Sequence, residues 1–130
     1  MKKIVYSTLI VLLSIILVLV IIMFLNPLRR SEEQIKRNML KLTPIGTSME
    51  VVISIIDGNK WKYHVRDYGY FFIHGLPSRH ASRPAIGVKS IDAYLGEYRT
   101  IFLTGVSVFY GFDEDSILID IAVLKEVDGL

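Results

Sequence analysis

The sequence predicts an α+β fold: one N-terminal transmembrane helix, then two short helices packed on a small antiparallel sheet of three to four strands. Three observations lead to this prediction. Residues 4–25 form an uncharged apolar run, two capping motifs precede short amphipathic stretches, and the chain beyond residue 60 alternates apolar and polar side chains. We therefore divide the chain into a transmembrane anchor, residues 1–27, and a small α+β domain, residues 28–130.

The apolar run has the length of a membrane-spanning helix. At 1.5 Å per residue, residues 4–25 would span about 33 Å, slightly more than the hydrocarbon core of about 30 Å. A cleaved signal peptide normally has a shorter apolar region, about 7–15 residues, followed by a small-x-small cleavage site. Residues 25–28 provide no such site. We therefore expect an uncleaved, single-pass anchor in the cell membrane that contacts lipid through residues 4–25.

The charges on the two sides of this run give opposing indications of orientation. Lys2 and Lys3 favour a cytoplasmic N-terminus, whereas the four basic residues between positions 29 and 37 favour the reverse. The minimal N-terminal tail before a long apolar run resembles a signal-anchor. We therefore expect the domain to lie outside the cytoplasm.

The formal net charge of +2 conceals an asymmetry. Residues 26–91 carry eleven Lys/Arg and five Asp/Glu, whereas residues 92–130 carry two and eight. A basic half next to the membrane suits anionic lipid headgroups, although ordinary solvated charge explains the pattern equally well. The basic residues are scattered and the acidic half would repel phosphate, so we predict no nucleic acid binding. The chain has no cysteine, which excludes disulfides, thiolate catalysis and zinc–thiolate sites.

The first helix of the domain is predicted after a capping box. Residues 31–34 (Ser-Glu-Glu-Gln) place a serine at the N-cap and a glutamine three residues later. Ile35, Met39 and Leu42 then form an apolar stripe at helical spacing, and Pro44 ends the helix.

A second helix is predicted after residues 47–50 (Thr-Ser-Met-Glu), which form another capping box, and before the stop signal at residues 57–59. Its β-branched residues are also compatible with a strand, but the capping box favours a helix. Its apolar face consists of Met49, Val52, Ile53 and Ile56.

The remaining chain is predicted to be mostly sheet. Residues 61–66 alternate in the period of a half-buried strand with Trp61, Tyr63 and Val65 on one face, and residues 70–73 form a further strand. Residues 75–87 contain Pro, Ser and Gly and are predicted to be a loop. A strand of about ten residues is predicted within residues 88–99.

Residues 102–112 and 117–127 form the clearest predicted hairpin, with residues 113–116 as its turn. The second strand is predicted to turn one face toward the second helix, and Asp120 to lie on the opposite, outer face. The residues of the inward face are Ile117, Ile119, Ile121 and Val123.

Candidate catalytic and metal-binding residues form no recognisable site. His64, His74 and His80 lack metal-ligand spacing and have no obvious carboxylate partner, so we interpret them as solvated. Asp113, Glu114 and Asp115 lack the frame of a calcium loop and are interpreted as a solvated turn.

Asp92 and Glu97 are five residues apart on one strand, so we expect them on opposite faces. No nucleophile elbow, phosphate loop or zinc-helix motif occurs in the sequence. We therefore predict no catalytic, cofactor-binding or metal-binding residues, no cofactor, and a protein that is not an enzyme.

The aromatic residues give one indication of binding. Trp61, seven tyrosines and six phenylalanines lie mostly in the sheet region, and a sheet covered by two short helices buries only one face. Some aromatic side chains are then either exposed for binding or paired across strands in a thin core.

Two segments carry a family resemblance. Residues 42–51 (LTPIGTSMEV) resemble the "L..G.s..eV" helix start of the BamE/SmpA-OmlA family, which has a β-lactamase-inhibitor-like fold. Residues 106–113 (VSVFYGFD), leading into residues 117–120 (ILID), are similar to that family's "v.v.fd…l..v" hairpin. The resemblance implies a small envelope domain that binds proteins rather than catalysing a reaction. The chain lacks the lipidated cysteine of that family and carries an apolar helix instead.

These observations lead to one main functional hypothesis and two alternatives. We expect a non-enzymatic membrane-anchored domain that binds a protein partner at the cell envelope, through its sheet or through residues 75–87. An inhibitor or immunity-type protein is one version of this hypothesis. The alternative is a lipid-surface or structural module that uses the basic membrane-proximal half.

Overall fold

The structure is a computed structural model that describes residues 1–73, 76–78 and 85–128, with side chains described for residues 1–70 and 86–128. Within these ranges the chain forms three α-helices, one 3₁₀ turn and seven strands, which confirms the α+β class. The helices are α1 (Lys2–Phe24), α2 (Glu32–Leu42) and α3 (Met49–Gly58), with the 3₁₀ turn at Pro27–Arg29. The strands are β1 (Lys62–Arg66), β2 (Tyr70–Ile73), β3 (Leu76–Ser78), β4 (Ala85–Ile86), β5 (Lys89–Arg99), β6 (Leu103–Phe112) and β7 (Leu118–Val127).

Helix α1 is long and apolar enough to cross a membrane, and none of its residues is buried against the rest of the protein. Its 23 residues correspond to about 34 Å of helix, which matches the hydrocarbon core with a small excess. After the helix, the Asn26 side chain accepts a hydrogen bond from the Leu28 N–H at 3.0 Å and begins the 3₁₀ turn.

Helices α2 and α3 both begin at serine caps. Ser31 Oγ accepts a hydrogen bond from the Gln34 N–H, as predicted, and Ser48 Oγ accepts one from the Val51 N–H. The second cap is therefore Ser48 and not Thr47. Thr47 is already used in the preceding turn, because its hydroxyl donates to the Pro44 carbonyl and its own carbonyl accepts from Leu118 N–H.

The predicted apolar faces of the two helices are confirmed except at one position. Ile35, Val52 and Ile56 are buried, and Met49, Ile53 and Met39 pack against the same core. Leu42 is 49% exposed, so its assignment to the stripe was wrong. The chain leaves the helix at this residue, and the following Thr43 is buried in its place.

The main sheet is antiparallel with strand order β1-β5-β6-β7. Strands β5, β6 and β7 lie at the predicted positions, and the turn between β6 and β7 lies within residues 113–116 as predicted. Helices α2 and α3 cover one face of this sheet and form the main core with it. The sheet contributes Ile91, Ala93, Val106, Val108, Tyr110, Phe112, Leu118, Ile121 and Val123 to this core.

A second, smaller sheet with strand order β3-β2-β4 contributes to a core on the opposite face of the main sheet. Two of its strands, Leu76–Ser78 and Ala85–Ile86, lie within the segment predicted to be a loop, so that prediction was wrong for these residues. Residues 74, 75 and 79–84 lie outside the described residues. The expectation of one buried sheet face was also wrong, because Tyr70, Phe109, Ala122 and Leu124 form this second core.

Strand β7 departs from the predicted alternation. Gly111 pairs with Asp120 but the next residue, Phe112, pairs with Leu118, so a β-bulge places Ile119 out of register. As a result Leu118 is buried and Ile119 is 42% exposed, whereas Ile121 and Val123 point into the core as predicted. The inward assignment of Ile119 was therefore wrong.

Strand β1 follows its predicted alternation only in part. Trp61 and Tyr63 pack against the main core, but Val65 is 50% exposed. The next residue, Arg66, is partly buried, and its guanidinium forms an ion pair with the buried carboxylate of Asp92 on β5.

Candidate functional site

The segment that follows helix α1 is fixed to one end of the main sheet. Arg29 Nη2 donates to the Arg99 carbonyl at 2.6 Å, and Lys125 Nζ donates to the Arg30 carbonyl at 2.6 Å. Both cations also lie 5.1 Å from the centre of the Tyr98 ring. Each cation–π contact of this kind is worth about 0.5–1 kcal/mol at an exposed site. The segment between α1 and α2 is therefore held to strands β5 and β7.

A β-bulge in β5 shapes the surface next to this connection. Tyr94 pairs with Ser107 and Gly96 with Val106, so Leu95 is the additional residue. Gly96 has a φ of +134°, and a Cβ on it would lie 3.2 Å from Leu28 Cδ1. Glycine therefore permits both the bulge conformation and the close approach of the 3₁₀ turn to the sheet.

An apolar cavity of about 290 Å³ lies between the 3₁₀ turn, α2 and the sheet. Trp61 from the α3–β1 connection, Leu95 from the bulge and Met39 from α2 contribute its larger side chains. Asn26 and Asn38 contribute its polar groups. The remaining lining residues are Pro27, Leu28 and Ile35. Concave, mostly apolar sites with a few polar groups are typical of binding sites.

A basic groove of about 170 Å³ lies on the adjoining face of α2. Arg30, Arg37 and Lys41 supply its charge, and Gln34 and Asn38 complete it. Gln34, Arg37, Asn38 and Lys41 lie at helical spacing on one side of α2, and Arg30 precedes the helix at the end of the same groove. Asn38 lines both the groove and the cavity, which makes the two a single surface, here called the membrane-proximal site.

The membrane-proximal site has the chemistry to bind a ligand with an apolar part and an anionic part. The cavity accepts the apolar part, and the three cations offer hydrogen-bond donors to carboxylate or phosphate oxygens.

A second polar cluster lies on the other face of the sheet, around Asp92. Asp92 is almost fully buried, and Arg66 Nη2 lies 3.1 Å from its Oδ2. His64 Nδ1 lies 3.4 Å from Asp92 Oδ1, because the two residues are cross-strand partners on β1 and β5. The expectation that no carboxylate accompanies the histidines was therefore wrong for His64. His64 is exposed as predicted, whereas His74 and His80 lie outside the described residues.

The bulge in β5 also changes the relationship between Asp92 and Glu97. Their partners on β6 are Phe109 and Gly105, four residues apart, so the two carboxylates lie on the same face and not on opposite faces as predicted. Four residues of strand correspond to about 13 Å, which is too far for a carboxylate pair. Glu97 instead accepts a hydrogen bond from the Tyr94 hydroxyl at 2.9 Å.

The acidic turn between β6 and β7 has a structural explanation. Asp113 Oδ1 accepts hydrogen bonds from the N–H groups of Asp115 and Ile117 at 2.9 and 3.0 Å, and so it closes the turn. Glu114 and Asp115 are exposed, as predicted. Among the residues whose positions are described, no group of three or more His, Asp or Glu side chains is arranged to hold a metal ion.

Sequence reasoning did not identify the membrane-proximal site. Arg37 and Lys41 are four residues apart, a helical spacing that the sequence displays. Arg30 precedes the helix, and the apolar half of the site joins segments from residue 26 to residue 95. Only the tertiary fold brings those segments together. Comparison with models of known families, with characterised proteins and with solved structures gave no match.

Proposed function

We propose that this protein is a non-enzymatic, single-pass membrane protein whose domain lies outside the cytoplasm and binds a protein partner through the membrane-proximal site. The observation that carries the proposal is the apolar cavity that adjoins a stripe of three cations. Because the connection to the membrane helix forms one wall of the cavity, a partner bound there lies next to the bilayer. The resemblance to the BamE/SmpA-OmlA family stays a prediction that points to the same class, binding without catalysis.

The site's chemistry defines the partner. Binding energy in protein interfaces concentrates in a few apolar side chains that fill pockets, surrounded by polar contacts. The cavity beside Trp61 and Leu95 suits one apolar side chain, and Arg30, Arg37 and Lys41 suit carboxylates beside it. We therefore propose that the partner presents an acidic segment with a protruding apolar residue, close to the membrane. An inhibitor or immunity-type role is one form of such binding.

Site-specific photo-crosslinking in intact membranes tests the proposal. A photoreactive residue at Asn38, which lines both parts of the site, should give a discrete adduct with one protein. The same residue at Glu114, in the exposed turn between β6 and β7, is the matched control and should not. Reversing the charge at Arg37 and Lys41, both exposed, should remove the adduct. An adduct that is equally strong from position 114, or that survives charge reversal, contradicts the proposed site.

A lipid-surface module is the second candidate, and the basic groove favours it. Each Lys or Arg near an anionic surface contributes about 1 kcal/mol, so three cations would give measurable attraction. In the crosslinking experiment this function gives lipid adducts at Asn38 and no protein adduct. Binding to anionic vesicles that is lost in about 0.5 M salt would support it, because such salt shortens the screening length to a few ångströms.

The anchor and its orientation have separate tests. An uncleaved anchor predicts that the mature protein keeps its N-terminal residues and resists carbonate extraction, and an N-terminus beyond residue 25 would contradict it. A domain outside the cytoplasm predicts that a phosphatase fused after Leu130, active only when exported, is active. A reporter active only in the cytoplasm should be inactive at the same position.

A further inference from the structure

The turn between β5 and β6 exposes two large apolar side chains at its tip. Ile101 is 88% exposed and the adjacent Phe102 is 46% exposed. The turn is short, and the Thr100 N–H donates to the Phe102 carbonyl at 3.1 Å. Two adjacent exposed apolar residues on a tight turn form a protruding apolar tip, here called the β5–β6 tip.

The β5–β6 tip lies at the end of the domain that is joined to the membrane helix. Arg99, the last residue of β5 and two residues before Ile101, accepts a hydrogen bond from Arg29 through its carbonyl. The chain from Phe24 to Arg29 includes a 3₁₀ turn and covers about 15 Å at most. Each headgroup layer is about 5–7 Å thick. The tip is thus held close to the boundary that the helix crosses.

We propose that the β5–β6 tip inserts into the bilayer at the boundary between headgroups and acyl chains, as a second membrane contact of the domain. The proposal rests on the membrane anchor of the proposed function but not on the binding of a protein partner. Phe and Ile are the side chain types that enter this boundary by burial of apolar area. Inserted there, the tip would hold the membrane-proximal site at a fixed height above the lipid.

Apolar burial, and not charge, drives this insertion. Arg29 and Arg99 lie next to the tip, but so does Asp128, whose N–H donates to the Leu103 carbonyl. Two further acidic residues, Glu97 and Glu126, lie near the tip. Both are cross-strand neighbours of Gly105, which is two residues after the start of β6. Because charges of both signs surround the tip, its insertion should persist in zwitterionic phosphatidylcholine and in high salt.

Depth-dependent fluorescence quenching on the full-length chain in phosphatidylcholine vesicles tests the proposal. The chain has no native cysteine, so single cysteines can carry an environment-sensitive label. We choose Ile101→Cys for the tip and Glu114→Cys as the matched exposed control. Strand β6 separates the two turns, and its ten residues span about 33 Å. Leu13→Cys, in the middle of α1, reports on the anchor.

We expect lipids that carry a quencher near the top of the acyl chain to quench the label at position 101 at least fivefold more than at position 114. This difference should be unchanged in 0.5 M salt, and Phe102→Asp should reduce quenching at position 101 at least twofold. Equal quenching at positions 101 and 114, with position 13 quenched, overturns the tip insertion and leaves the anchor intact. Absence of quenching at position 13 overturns the anchor and the tip insertion together.

Discussion

The Tyr70 hydroxyl donates a hydrogen bond to Asp120 Oδ2 at 3.0 Å and so ties the small sheet to strand β7 of the main sheet. Asp120 also makes contacts through its other oxygen. Lys36 Nζ lies 3.9 Å from Asp120 Oδ1, and the Ile121 N–H donates to the same oxygen. Burial and the Asp120 charge raise the pKa of Tyr70 well above its ordinary value of 10.0. Asp120 therefore joins three elements: α2, β2 and β7.

Removing the Tyr70 hydroxyl should destabilise the protein although it leaves the ring in place. A hydrogen bond to a charged group contributes about 1.5–3 kcal/mol, so we expect Tyr70→Phe to lower the free energy of unfolding by that amount. Asp120→Asn should cost about 1 kcal/mol, because a neutral acceptor remains. The measurement is urea unfolding of the full chain in mild detergent, followed by Trp61 fluorescence. A double variant whose loss equals the sum of the two single losses would show that the residues are not coupled.

The bulge in β7 predicts opposite outcomes for two isoleucines two residues apart. Ile119 is 42% exposed, so Ile119→Asp should change the free energy of unfolding by less than about 1 kcal/mol. Ile121 is fully buried, and Ile121→Asp would bury a charge at a cost of several kcal/mol, enough to unfold a domain of this size. Far-ultraviolet circular dichroism and urea unfolding of the two variants distinguish these results. Equal damage at both positions would contradict the bulge.

Two buried tyrosines predict a loss of stability in alkali. Burial raises the pKa of Tyr110 to about 12, although a hydrogen bond with Thr43 lowers it in part, and the pKa of Tyr70 is raised further. Above pH 10 the unfolded chain loses these protons while the folded protein retains them, so stability is complete below pH 10 and falls as pH rises. One shifted group with a folded pKa near 12 contributes about 3 kcal/mol of this loss.

The control for this alkaline loss is Tyr110→Phe. This variant should show a shallower fall in unfolding free energy between pH 10 and 12 than the unmodified chain. If the slopes of the two proteins are the same, Tyr110 titrates normally and its hydroxyl is not buried in the folded protein.

The segment between α1 and α2 should be protected from proteases by Lys125. The Arg30 side chain is exposed, but its backbone carbonyl accepts a hydrogen bond from Lys125 Nζ. We expect Lys125→Met to increase the rate of tryptic cleavage after Arg30 at least threefold, because the segment can then leave the sheet and enter the protease. Lys60→Met, an exposed substitution after α3, is the matched control. An unchanged cleavage rate in Lys125→Met would mean that the segment is held by other contacts.

The sequence by itself determined the elements whose signals are local. The uncharged run predicted α1, the capping motifs and helical spacing predicted α2 and α3, and the alternation in residues 102–127 predicted the β6–β7 hairpin. Each of these depends on hydrogen bonds and periodicity within about ten residues, which a sequence displays directly.

The tertiary structure decided what depends on contacts between distant segments. An additional residue in β5 placed Glu97 on the same face as Asp92, and another in β7 placed Leu118 in the core instead of Ile119, because strand periodicity is two and any insertion shifts it. The second sheet forms a core only because it packs on β6 and β7. The cavity beside Trp61 forms only where the 3₁₀ turn, α2 and Leu95 of β5 come together. Bulges and cavities carry no local periodic signal, so the site that we propose for binding became visible only in the folded chain.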